Sequence, residues 1–149
     1  MSIHKNIKNV VRLGMIGGGQ GAFIGEVHRI AARLDGRFEL VAGALSADAQ
    51  TAAASAAEVG INSDRSYASF EEMALAEAAR EDGIEVCAIV TPNHLHYPAA
   101  AALLRAGIHV ICDKPLTATL AQAEELAELA DSSGLLFAVT YNYSAYPMV

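Results

Sequence analysis

Residues 10–34 read VVRLGMIGGGQGAFIGEVHRIAARL, and the order of residue types in that stretch decides the fold. The apolar run at 10–16, rich in β-branched residues, stops at Gly17-Gly18-Gly19, as a strand buried on both faces would. Beyond the glycines, Phe23, Val27, Ile30 and Leu34 recur at helical spacing, with Glu26, Arg29 and Arg33 turned the other way. Strand, glycine turn and helix are therefore expected in that order, with the Phe23 stripe facing the core.

The same alternation continues along the chain. Gly36 closes the first helix, residues 38–45 supply a second strand, and Ser46 with Asp48 opens an alanine-rich helix that runs to about Val59. Tyr67 and its neighbours read as a short third strand. Ser69 and Glu72 form a capping-box pattern ahead of a helix that Gly83 terminates. Residues 86–90 and 108–112 are buried strands separated by a helix through Ala106, which Gly107 stops. Thr119 and Gln122 repeat the capping pattern before a helix ending near Gly134, and residues 135–140 form the last strand. Short buried strands alternating with helices of roughly ten to fifteen residues predict an α/β fold, a Rossmann-type doubly wound parallel sheet with helices on both faces.

Composition narrows the functional classes. The 149 residues fit one domain, 53% hydrophobic and 18% charged, too apolar for disorder. Every apolar stretch is short and broken by Gly, Arg or Pro, so no membrane span is expected. The start of the chain carries Lys5 and Lys8, but its apolar run is cut by Arg12 and shows no secretory signal, which makes a cytoplasmic address the default expectation. A formal charge of -7 with no basic stripe argues against a nucleic-acid partner. Cys87 and Cys112 each lie inside an apolar strand and read as reduced core thiols.

Gly17-Gly18-Gly19-Gln20-Gly21-Ala22 fits the pattern G-x-G-x-x-G/A. Gly17 suits the tight turn, Gly19 the close approach of a pyrophosphate, and Ala22 the packing of helix on strand. The pattern alone is weak, but here it leaves a strand and enters a helix whose first-turn N–H groups, at Phe23 and Ile24, favour an anion. Dinucleotide sites that prefer NAD usually place a carboxylate at the end of the second strand. Here that end reads Gly43-Ala44-Leu45-Ser46, without an acid. Ser46 is left to cap the helix, contact a ribose or tolerate a 2′-phosphate, and the cofactor is NAD or NADP.

Ligands of open α/β sheets lie at the carboxyl ends of the strands. Three further strand ends therefore matter: Thr91-Pro92-Asn93-His94-Leu95-His96, Asp113-Lys114-Pro115 and Tyr141-Asn142-Tyr143. The candidates at this edge are Thr91, Pro92, Asn93, His96, Asp113, Lys114 and Asn142, joining Gly17, Gly19, Gln20, Gly21, Ala22, Phe23, Ile24 and Ser46. His94 and His96 have no Cys or clustered acid beside them, so no metal site is expected, and a polar contact at a helix start suits His96 better.

With the glycine turn, the Thr91-Pro92-Asn93-x-x-His96 loop and the Lys114-Pro115 segment in this order, the chain resembles the Gfo/Idh/MocA oxidoreductases over essentially its whole length. Asp113 is a departure, standing where the family usually has Glu. The resemblance implies that Lys114 sits near the nicotinamide and the reacting carbon, as the catalytic residue that polarises a substrate hydroxyl or carbonyl. It also implies a sugar, polyol or cyclitol substrate for the full-length protein, and a second domain carrying an Asp and a His beyond residue 149. The isolated chain is then expected to bind a dinucleotide, to lack turnover, and to leave an apolar face uncovered that favours homo-oligomers. A non-catalytic NAD(P)-sensing or scaffold module is the alternative, and a methyltransferase explains neither Asn93 nor Lys114.

Overall fold

A computed structural model describes residues 10–147. The reading of residues 1–9 as free of a secretory signal lies outside these residues. Five parallel strands make one sheet in the order β2-β1-β3-β4-β5: β1 (Val11–Gly17), β2 (Phe38–Ala44), β3 (Val86–Val90), β4 (His109–Cys112) and β5 (Phe137–Val139). The helices between them are α1 (Phe23–Arg33), α2 (Ala49–Val59), α3 (Phe70–Ala78), α4 (His96–Arg105) and α5 (Leu120–Ser133). The parallel doubly wound architecture is the one the alternation of strands and helices dictates.

The segment around Tyr67 is not a strand. Residues Ser63–Arg65 form a 3-10 turn, and only an isolated bridge between Ser66 and Gly43 follows, with the Tyr67 N–H donating to the Gly43 carbonyl at 2.9 Å. What fixes this segment is a buried charge pair, signalled in the sequence by lone polar residues rather than by any period. Arg65 and Glu77 are both buried and bonded through Nε at 3.0 Å and through Nη2. The Tyr67 hydroxyl donates to the same carboxylate at 2.7 Å and the Ile84 N–H at 3.1 Å. Burial is the main cause that raises the Tyr67 phenol to about 12, with the Glu77 carboxylate adding to it.

Crossover handedness distributes the helices unequally. The chain moves one way across the sheet from β1 to β2 and the other way thereafter, which sets α1 on one face and α3, α4 and α5, packed side by side, on the other. Paired residues across the sheet show the result. On the α3–α5 face, Ile16, Ile89 and Cys112 are in register and all buried. On the α1 face, Met15 and Ala88 are buried, Ile111 is half-buried and Ala138 is exposed. The sheet carries helices on both faces, and above β4 and β5 the α1 face is open, with Leu136 beside it 75% exposed.

Helix α1 also corrects an expectation. Phe23 and Leu34 are 79% and 81% exposed, and Val27 and Ile30 are exposed too. The helix faces the sheet with Ile24, Gly25, His28 and Ala32 instead, and Arg29 turns inward to bond the Gly18 carbonyl at 2.7 Å. The helical period is as read, but the flanking glycine admits a close approach on the opposite side. Cys87 and Cys112 are free and buried, and burial pushes both thiols up, Cys112 to about 12.

Candidate functional site

Because all five strands are parallel, their carboxyl ends meet at one edge, and the glycine turn is built into it. Gly17, Gly18 and Gly21 have φ of 79°, 74° and 78°, a region that side chains disfavour. The turn is tied to its neighbours by the N–H of Gly19 on the Leu45 carbonyl (3.2 Å) and the N–H of Gln20 on Ser55 Oγ (3.0 Å). A Cβ on Gly19 would stand 2.7 Å from that carbonyl and 2.8 Å from Ser55 Oγ, so the close approach requiring glycine here is made by the protein itself. Helix-to-turn packing falls on Gly25, where a Cβ would overlap the Gly18 Cα and carbonyl oxygen. Ala22, given that role in the sequence reading, instead occupies the N-cap position of α1.

The helix N-termini differ in a way that matters for an anion. Asp48, Ser69 and Thr119 cap α2, α3 and α5 with their own side chains, and α4, which has no side-chain cap, continues the 3-10 turn Asn93–Leu95. Ala22 offers α1 no side-chain cap, which leaves the first-turn N–H groups over Phe23 and Ile24 for another acceptor. A crevice of about 580 Å³ runs beside this turn, lined by Gly17, Gly19, Gln20, Ala22, Ser46 and Thr91 among others. Thr91 Oγ1 is buried there without a hydrogen-bond partner among the described residues. An orphaned hydroxyl and an uncapped helix start fit a dinucleotide diphosphate and its neighbouring groups. Pro92 and His94 also line the crevice, Gly21 and Phe23 line the far side of the glycine turn, and Asn93 stands exposed in the 3-10 turn Asn93–Leu95.

His96 is 1% exposed and points into the fold. Its Nδ1 lies 2.6 Å from the Pro115 carbonyl oxygen and its Nε2 2.9 Å from that of Thr91, joining the two loops that follow β3 and β4. Both ring nitrogens are thus engaged by backbone, and the residue acts on the edge by holding its loops together.

Asp113, Lys114 and Asn142 open onto a second cavity of about 530 Å³, which continues beneath α1 along the uncovered sheet face past Ile24, His28 and Ile111. Thr140 donates to Asp113 Oδ1 at 2.8 Å, fixing the carboxylate that replaces the usual glutamate. His28 was missed by the sequence reading, although it follows Ile24 by one helical turn. Burial pulls its imidazole below the ordinary value, partly offset by the Asp113 charge. Among the described residues no group of three His, Cys, Asp or Glu side chains is placed to hold a metal, and no helix is long and apolar enough to cross a membrane.

The sequence model of the Gfo/Idh/MocA family, described as an oxidoreductase family with an NAD-binding Rossmann fold, matches residues 11–141. The chain belongs to the Gfo/Idh/MocA oxidoreductase family. It is 41% identical to an uncharacterized oxidoreductase of Bacillus subtilis (strain 168), YfiI, over 96% of this chain and 37% of that protein. An oxidoreductase structure from Sinorhizobium meliloti superposes with a TM-score of 0.89 at 58% identity, covering 95% of this chain and 39% of that one. An inositol dehydrogenase homolog from Azotobacter vinelandii, solved with NAD+, superposes with a TM-score of 0.91 at 38% identity, covering 97% and 37%. This Gfo/Idh/MocA chain thus spans less than two-fifths of the length of these relatives and carries the family's NAD(P)-binding Rossmann fold.

Proposed function

We propose that this chain is the dinucleotide-binding half of an enzyme that passes a hydride between a sugar, polyol or cyclitol carbon and a nicotinamide. The observation carrying this is the start of α1: α2, α3 and α5 close their N-termini with a side chain and α4 continues a 3-10 turn, while α1 has no side-chain cap and opens over the glycine turn at the strand ends. Backbone N–H groups of Phe23 and Ile24 hold the diphosphate, with Gly17 and Gln20 shaping its cradle. Ser46 meets the adenosine ribose, and Thr91 Oγ1 donates to the cofactor beyond it. When bound, the nicotinamide supplies the hydride donor or acceptor. Lys114, oriented beside Asp113 at the same edge, donates a hydrogen bond to the substrate oxygen and favours proton movement there. Asn142 bounds the same mouth.

Relatives of about two and a half times this length have room for a further domain, to which this reading assigns the proton-transferring groups of the full-length protein. On this reading the 149-residue chain by itself is a binder without turnover, and its open α1 face is the surface through which copies associate. Calorimetry tests the binding: heat with NAD+ or NADH at micromolar to low millimolar concentration is expected, and none with any nicotinamide dinucleotide would refute it. In the full-length protein, Lys114→Met should lower kcat by about a thousandfold while weakening nucleotide binding far less. Nucleotide binding by the full-length protein without turnover of any sugar, polyol or cyclitol would favour a nucleotide-sensing module.

A further inference from the structure

The glycine turn is tied from behind by a side chain that does not line the crevice. Gly18 and Gly21 flank the Gly19–Gln20 peptide with φ of 74° and 78°, and glycine backbone of this kind holds no single conformation by sterics alone. Polar ties therefore decide where that peptide points. Its carbonyl, on Gly19, accepts from the N–H of Ala22, the N-cap residue of α1, at 3.0 Å. Its N–H, on Gln20, donates to Ser55 Oγ at 3.0 Å. Because a peptide unit is planar, holding the N–H also holds the carbonyl opposite it, and with it the residue from which α1 starts.

Ser55 is shaped to that contact. It is 2% exposed and stands in α2 within the run Ala52-Ala53-Ala54-Ser55-Ala56-Ala57. Its hydroxyl proton goes to the Thr51 carbonyl at 2.6 Å, so the oxygen faces Gln20 as an acceptor, the partner that an N–H requires. The approach is close. A Cβ on Gly19 would stand 2.8 Å from Ser55 Oγ and 3.3 Å from Ser55 Cβ, so the tie needs glycine at that position. Thr51 in turn donates its N–H to Asp48 at 2.8 Å, which anchors the chain of bonds at the start of α2. Ser55 lines the cavity on the far side of the turn, so its effect on a ligand in the crevice passes through the turn.

We propose that Ser55 is a positioning residue for dinucleotide binding: from behind the glycine turn it fixes the Gly19–Gln20 peptide, so that α1 presents the Phe23 and Ile24 N–H groups to the diphosphate. The role rests on the dinucleotide reading above. It couples the diphosphate cradle to α2, whose N-cap residue Asp48 donates its N–H to Ser46 Oγ at the other end of the crevice.

Ser55→Ala tests it, since alanine removes the acceptor, fits the space and favours the helix, so the chain keeps its fold. Calorimetric titration should show NADH bound about fivefold more weakly, the loss of one positioned hydrogen bond, while the urea midpoint moves little. Hydrogen exchange at the Gln20 amide should be slow in the nucleotide-free parent chain and at least about tenfold faster in the variant. Leu126→Val, a truncation of a buried residue of α5, should lower the urea midpoint yet leave NADH affinity within about twofold of the parent. NADH affinity unmoved by Ser55→Ala, an equal weakening in Leu126→Val, or a Gln20 amide that exchanges in the parent as fast as in an unfolded chain overturns the role. Should Ser55→Ala fail to fold, the exchange rate of Gln20 in the parent decides alone. No heat from NADH in the parent chain overturns the dinucleotide reading itself, and the role falls with it.

Discussion

His96 is clamped to Pro115: its Nδ1 sits 2.6 Å from the Pro115 carbonyl oxygen, across the strand edge from the loop that carries His96 itself. With Nε2 on the Thr91 carbonyl at 2.9 Å, one buried ring spans the two loops on which Thr91 and Lys114 are presented. His96→Ala should take the ring away from the Thr91 and Pro115 carbonyl groups and leave a void between the loops. A loss of about 2–4 kcal/mol in urea denaturation is expected, with faster amide exchange in the loops after β3 and β4. A loss under about 0.5 kcal/mol would show that the loops hold without the ring.

Gly25 and Gly21 separate two reasons for a glycine. A Cβ at Gly25 would run into the Gly18 backbone, which has no flexible end to move aside. Gly25→Ala should therefore cost about 2 kcal/mol or more despite the gain in helix propensity, and should displace the glycine turn. Gly21 has a φ of 78° and open space around it, so Gly21→Ala should cost about 1–2 kcal/mol through backbone strain alone. Thermal melts of the two variants make the comparison, and a milder effect at Gly25 than at Gly21 would contradict the packing.

Glu77 is the common acceptor for Arg65, Tyr67 and the Ile84 N–H, and all four residues are buried. Removing the carboxylate leaves the buried guanidinium only Asp82, through its carbonyl at 3.2 Å and its carboxylate at 3.7 Å. Glu77→Leu is expected to destabilise the chain by about 3–5 kcal/mol, measured by urea denaturation. The phenol shift adds a pH signature. The folded state raises the Tyr67 value above its ordinary 10 to about 12, so this stability is complete below pH 10 and is lost as pH climbs through 12. Tyr67→Phe should remove that alkaline loss.

His28 acts at the opposite end of the pH range. Its folded value is lowered, chiefly by burial, so the unfolded chain takes up the proton first as pH falls. Stability should be full above about pH 6.5 and decline below it. His28→Gln should flatten that decline between pH 7 and 5, as followed by denaturant midpoint. An identical slope in the variant would mean that His28 is as solvated in the fold as in the unfolded chain.

Much of the fold was legible because strand and helix carry different periods, and a strand buried on both faces shows an unbroken apolar run, as at 86–90. The glycine turn was legible for the same reason, through its place between a strand and a helix. Other features were hidden by the limits of local pattern. The inward face of α1 was read from its largest apolar residues, yet Gly25 lets the backbone approach on the other side and Phe23 stays in solvent. The segment at Ser63–Arg65 depends on Arg65 meeting Glu77 twelve residues on, a contact with no period. His96 carried the family spacing, but its burial between Thr91 and Pro115 depends on how two loops meet in space. Ser55 was invisible within an alanine run, although it is what the Gln20 N–H binds.

Amide shift mapping of the chain during titration with NADH tests the central claim most directly. The expected result is a contiguous set of perturbed amides over Gly17, Gln20, Phe23 and Ile24, extending to Ser46 at one end and to Thr91 and Lys114 at the other. Shifts confined to the cavity beneath α1, around Leu13, Ala31 and Phe38, or no shifts at saturating NADH, would contradict it.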